Sequence, residues 1–296
     1  MIQRILTALV LIPLVLLLIL RAPVWLLAIV AGIVALLAIR EFLDLARNYG
    51  VEPSFICTYI FVGIFFAALM NPARNGRWAP LFMVIDVGLF AGLAPFVFVA
   101  TGLRRDNLKS IYSSAAASVF AFVYIAVPMG LLVAMRTELG GDFLVINLML
   151  VVWSGDIFAY FAGKAFGRHK MSPRISPGKT WEGAAASLFA SVVVGTLFYR
   201  YSAHASPWLV RFHLLQPGAD TWGGVDVAIW RVVFILIFVN LAAQLGDLVE
   251  SAIKRGADVK DSGAILPGHG GMLDRIDAML FAVPVFWLWL LYAHTH

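Results

Sequence analysis

The chain has 296 residues, of which 61% are apolar and only 13% charged, against roughly 25% charged in an ordinary soluble domain, so most of its surface must face lipid. The net charge of +5 comes without a basic stripe interleaved with aromatics, which argues against a nucleic-acid partner. Cys57 is the single cysteine, so no intramolecular disulfide can form.

Runs of about 17 to 25 mainly apolar residues cross a hydrocarbon core as helices. Nine follow one another here, at about 5–20, 23–39, 54–70, 81–102, 111–135, 143–163, 181–200, 228–251 and 276–293. They predict an all-α polytopic membrane protein with about nine transmembrane helices. Arg4 ahead of the first run imitates a signal peptide, but no small-residue cleavage site follows Leu20, so the segment reads as a retained anchor. Pro13 and Pro95 are candidate kinks, and a hairpin of the first two spans leaves eight or ten crossings as alternatives.

Lys and Arg accumulate in short cytoplasmic loops. With the N-terminus inside, fifteen of the 22 basic residues fall on the cytoplasmic side, and the other seven, including Arg21, Arg136 and Arg231, fall opposite. This orientation puts the two most polar loops, 164–180 and 252–275, on the cytoplasmic face, where they can meet over one polar cavity. The Trp- and Gly-rich stretch 201–226 reads as a connector on the far side.

The eighth span is apolar, yet Asn240, Gln244, Asp247, Ser251 and Lys254 recur at steps of four and three and share one helix face. An ionised residue at bilayer depth costs about 2.5–3.5 kcal/mol on insertion scales, so Asp247 is expected to face a polar cavity or a cation. The alternative is a stripe of helix-to-helix hydrogen bonds. Beyond it come Arg255, Lys260 and Asp261, then His269, Gly270, Gly271, Asp274, Arg275 and Asp277 at the start of the ninth span. Glycines let backbone amides approach a ligand and a helix N-terminus favours anions, so phosphate is a natural guest. Asp247 and Asp274 are hard oxygen donors suited to Mg2+, which fills its shell with waters and substrate phosphate oxygens. A solvated loop with an acidic first turn is the plainer reading.

The order Ser251, Ile253, Lys254, Arg255, Lys260, Asp261, Gly263, then His269, Gly270, Gly271, Asp274, Arg275 and Asp277 resembles the signature of the phosphatidate cytidylyltransferases, also called CDP-diacylglycerol synthases. One membrane domain over 1–296 is the simplest count from composition, with N-terminal helices to about 135 and a signature-bearing catalytic part over about 143–293. The resemblance implies CTP and phosphatidic acid as substrates, and CDP-diacylglycerol and pyrophosphate as products. Asp247, Lys254, Arg255, Lys260, Asp261, His269, Asp274, Arg275 and Asp277 become the catalytic candidates. It implies Mg2+ on Asp247 and Asp274, room for a second cation, surrounding membrane lipids, a bacterial cytoplasmic (inner) membrane location, and it allows a homodimer.

The loop from Ser172 to Gly183 ends in Gly178, Lys179 and Thr180 but is no P-loop, because Pro173 stands where that motif needs glycine and a membrane helix precedes it. Ser176 or Thr180 is expected to cap the seventh span, with Pro177 near its first turn. The loop also resembles the family's second motif, apart from Gly178, where the family often carries a basic residue. Ser176, Lys179 and Thr180 are thereby candidates for binding the nucleotide. The sixth span carries Ser154, Asp156, Tyr160 and Lys164, the last three on one face. Asp156 is placed in the same cavity, and Glu41 and Asp44, beside Arg40 and Arg47, read as solvated loop charges. The rivals are a CTP-dependent polyprenol or phytol kinase, which would release CDP, and a transporter, which would not turn over nucleotide.

Overall fold

The computed structural model describes residues 2–70, 79–103, 107–138, 140–212, 227–265 and 270–295. Among them the helices are α1 (Ile2–Arg21), α2 (Val24–Asn48), α3 (Phe55–Leu69), α4 (Ala79–Gly102), α5 (Ile111–Ala121), α6 (Val127–Thr137), α7 (Gly141–Phe166), α8 (Trp181–Arg211), α9 (Ile229–Gly256) and α10 (Leu273–Thr295). Helices α5 and α6 are one rod interrupted by a π turn, Phe122–Ala126. Pro128 explains it: without an N–H it cannot bond the Tyr124 carbonyl, and its ring pushes that carbonyl away. By contrast, α1 and α4 run on through Pro13 and Pro95.

Seven of the described helical segments are long and apolar enough to cross a membrane, while Phe55–Leu69 and Ile12–Arg21 are shorter apolar helices. The chain is a multi-pass membrane protein, and the nine apolar runs read from the sequence all lie on helices. One departure from an all-helical chain is a small antiparallel hairpin, β1 (Lys170–Ser172) with β2 (Ser176–Thr180). Pro177 sits inside β2, not in the first turn of α8.

The chain divides into two compact units. The first comprises 1–22, 138–252 and 277–296; the second comprises 23–137 and 253–276. The signature segment thus joins the early helices, and α1 joins the later ones.

In the first unit α7, α8 and α9 approach closely through glycine. A β-carbon at Gly155 would stand 2.7–2.8 Å from Ser191, Ser187 and Asn240, and one at Gly195 would meet Val151 and Leu236 at 2.7 and 2.8 Å. Helices α9 and α10 meet in the same way at Gly246, whose missing side chain makes room for the Asp277 carbonyl. Small residues are the expected device, because helix association in lipid relies on close packing and interhelical hydrogen bonds, with no water to expel. The second unit is packed on phenylalanines: Phe61 and Phe65 lie 5.0 and 5.2 Å from Phe122, and Phe61 lies 5.2 Å from Phe98. Gly130 leaves the space that the Phe65 ring occupies.

Candidate functional site

A cavity of about 520 Å³ opens in the first unit, and Asp156, Tyr160 and Lys164 of α7, Lys170, Ser176 and Lys179 of the hairpin, and Gln244 and Asp247 of α9 all line it. Its centre is an ion pair. Lys179 Nζ lies 2.7 Å from Asp247 Oδ2, with the two side chains 24% and 37% exposed, so both remain open to a ligand.

The hairpin carries Lys179 to this point, and its root is fixed in four ways. Lys170 pairs with Thr180 and Ser172 with Ser176 across the strands. The Thr180 hydroxyl caps α8 by accepting from Gly183 N at 3.1 Å, as the sequence suggested, while Ser176 lies on the cavity wall. Gly163, Gly167 and Gly183 surround the buried Thr180, and a β-carbon at Gly167 would stand 2.7 Å from its methyl group. Finally, Glu182 in the first turn of α8 accepts from the His169 amide at 3.2 Å and lies 2.6 Å from His169 Nδ1. Sequence reading passed over Glu182; its place in the first turn of a helix was the available signal.

The polar face of α9 divides by depth. Asn240 is buried and donates to Ser187 Oγ at 2.9 Å and Ser191 Oγ at 2.8 Å, and Ser191 donates to the Val151 carbonyl at 2.6 Å. Gln244 donates to Asn240 Oδ1 at 2.6 Å and to the Ala184 carbonyl at 3.2 Å. Both readings of this face therefore hold: a hydrogen-bonded stripe between helices at its deep end, and a cavity wall at Gln244 and Asp247. Ser251 Oγ donates to Asp247 Oδ1 at 3.3 Å. On α7, Ser154 only returns a hydrogen bond to the Val151 carbonyl.

The second unit holds the rest of the signature. Helix α9 ends in a left-handed turn at Asp258 (φ 58°), with Val259 N bonding the Lys254 carbonyl and Asp258 N the Arg255 carbonyl, a cap in which aspartate replaces the usual glycine. Lys254 Nζ lies 2.6 Å from Asp274 Oδ1, and these side chains are only 13% and 8% exposed. Asp274 also accepts from Gly271 N at 2.8 Å and Ser262 N at 3.1 Å. Gly270, at φ 79°, has no room for a β-carbon beside Asp274 Oδ2. Arg255, Lys260, Asp261 and Arg275 are exposed, with Arg255 donating to the Val259 carbonyl at 3.3 Å. Asp277 accepts from Ala278 N at 2.8 Å in the first unit. His269, a catalytic candidate from the sequence, lies outside the described residues.

Glu41 corrects the sequence reading. It is buried, not a solvated loop charge, and accepts from Ser262 Oγ at 3.0 Å, Met272 N at 2.9 Å and Leu273 N at 2.8 Å. Asp44 behaves as expected, forming an exposed pair with Arg47 at 3.3 Å. Among the described residues no group of three or more His, Cys, Asp or Glu side chains is arranged to hold a metal. Asp156 and Asp247 nevertheless put two carboxylates on one cavity. That donor set suits magnesium, which needs one or two carboxylates when phosphate and water complete its shell.

The sequence model of the cytidylyltransferase family matches residues 2–293. A phosphatidate cytidylyltransferase of Staphylococcus aureus (strain COL) is 33% identical over 260 residues, 88% of this chain and 87% of its own length. One of Haemophilus influenzae is 30% identical over 295 residues, 96% of each chain. One of Bacillus subtilis (strain 168) is 41% identical over 141 residues, 48% of this chain and 45% of its own.

Proposed function

The chain belongs to the cytidylyltransferase family, and from that membership we propose that it is a phosphatidate cytidylyltransferase, a nucleotidyltransferase of phospholipid biosynthesis. It joins CTP and phosphatidic acid into CDP-diacylglycerol and releases pyrophosphate. The observation that carries this reading is the Lys179–Asp247 pair on a cavity that also holds Asp156, Lys164 and Lys170.

An oxygen of the lipid phosphate attacks the α-phosphorus of CTP in line. The new P–O bond forms as the bond to the bridging oxygen of the leaving pyrophosphate breaks. Such transfers depend chiefly on positioning and on neutralising charge, so no protein nucleophile is needed. Lys179 lines the cavity beside Asp247 and would hold a phosphate oxygen in place of that carboxylate. Lys164 and Lys170 extend the same positive wall. In the signature return Lys254 is held ready by Asp274, and Arg255, Lys260 and Arg275 offer further phosphate contacts.

Asp247, together with Asp156, would hold magnesium; the ion supplies charge neutralisation on the phosphate oxygens when bound. Asp274, the other ligand expected from the sequence, already accepts from Lys254, Gly271 and Ser262. It would be available to a cation if Lys254 held a phosphate instead. A second cation is compatible with these carboxylates. The basic loops support an active face toward the cytoplasm, and the family resemblance supports a bacterial inner membrane, with lipid around the helices and a homodimer as the assembly to seek by cross-linking.

The test is to incubate purified protein with labelled CTP, phosphatidic acid and magnesium. Labelled lipid and pyrophosphate in equal amounts are expected. Release of CDP with a phosphorylated lipid alcohol would replace this activity with a kinase, and no nucleotide turnover by folded protein would overturn it.

A further inference from the structure

We propose that Glu41 is a positioning residue for the Lys254–Asp274 pair, clamping the signature return from helix α2; the proposal rests on the activity assigned above. A buried carboxylate needs hydrogen-bond donors to be tolerated, and Glu41 finds all three of those already named in the signature segment. Two are the amides of Met272 and Leu273, at the start of α10. These are orphan donors of a helix N-terminus, where a negative charge is favoured, and such donors are ordinarily satisfied by a side chain just ahead of the helix. Here the cap comes from a residue 231 and 232 positions away.

Asp274 follows directly, and the two carboxylates share Ser262. Its hydroxyl donates to Glu41 at 3.0 Å while its amide donates to Asp274 at 3.1 Å. A shift of the Glu41 carboxylate therefore reaches Asp274 along two routes, through Ser262 and through the backbone of Met272 and Leu273. The glycines of the signature fit the same account. A β-carbon at Gly263 would stand 2.5 Å from Glu41 Oε1, and one at Gly271 would stand 2.5 Å from Glu41 Oε2. Those two positions are open so that Glu41 can enter, a different reason from the close ligand approach expected from sequence. Tyr49, just past the end of α2, holds the other end of the return by donating to the Ile253 carbonyl at 2.7 Å.

Glutamine at position 41 keeps the shape but offers one oxygen for three donors, and turns its amide nitrogen toward a backbone N–H or the Ser262 hydroxyl. In Glu41→Gln, kcat per folded molecule is expected to fall by about 10–100-fold, the usual effect of removing a group that orients a ligating or catalytic side chain, with KM for CTP little changed. Amide exchange at Met272 and Leu273 should accelerate while α7 stays protected. A lower melting temperature with faster exchange throughout and unchanged kcat would mark a merely structural residue and overturn the proposal, as would unchanged exchange at 272–273. Should Glu41→Gln not yield folded protein, Ser262→Ala removes one of the three donors. It must then show the same local exchange and a reduced kcat, or the proposal fails. If wild type makes no cytidine-bearing lipid, the assigned activity is wrong, and exchange at 272–273 still decides whether Glu41 is the clamp.

Discussion

Lys179 and Asp247 serve as each other's counter-ion across 2.7 Å on a cavity wall, and neither is buried enough to be locked there. A pair of this kind must part when a phosphate arrives, freeing an ammonium and a carboxylate at once. Lys179→Met and Asp247→Asn are each expected to lower kcat/KM by about 10²–10³-fold, the range for losing one charge-stabilising group. The double variant should lose less than the product of the two, because they act as a unit. Incorporation of labelled CTP into lipid measures all three, and losses that multiply would contradict the coupling.

The Lys254–Asp274 pair is more deeply buried, so breaking it has a different signature. Lys254→Met leaves a carboxylate without its ammonium and is expected to destabilise the protein by about 3–5 kcal/mol. Lys254→Met with Asp274→Leu should recover part of that stability while remaining inactive. Thermal unfolding in detergent, read beside activity, separates the two effects.

Thr180 is a cap before it is a ligand contact. Thr180→Ala should weaken the start of α8 by about 1 kcal/mol, and displace Lys179 beside it, seen as a raised KM for CTP. Thr180→Ser keeps the hydroxyl that Gly183 needs and should retain wild-type KM. A normal KM in the alanine variant would show that the hairpin does not depend on the cap.

Chelation is expected to abolish lipid labelling, and magnesium to restore it. Asp156 lines the cavity with Asp247, so Asp156→Asn should raise the magnesium concentration needed for half-maximal activity, by about tenfold if one carboxylate contributes about 1.4 kcal/mol. Titrating magnesium at saturating CTP checks this; an unchanged midpoint would remove Asp156 from the metal's surroundings.

Much of this was legible in one chain. The helices announced themselves by length and apolarity, and the Thr180 cap followed from a hydroxyl residue preceding an apolar run. Asp247 stood out because charge inside an apolar span has to be explained locally. Glu41 did not stand out, since its partners lie more than 220 residues later and local spacing carries no trace of them. The hairpin was equally opaque: Pro177 and Gly178 are poor strand residues, and its root is anchored by Glu182 on His169 and by the glycines packed around Thr180. The glycines were noticed for close approach, and at Gly263 and Gly271 the neighbour is Glu41.

The way the two units share the chain bears on where it can be divided. Residues 23–137 precede 253–276, which belong to the same unit, and 1–22 share a unit with 277–296. Each unit therefore joins segments far apart in the chain, and neither is one continuous stretch. A cut between 137 and 138 would part residues 23–137 from 253–276 of their own unit, and 1–22 from 138–252 and 277–296 of theirs.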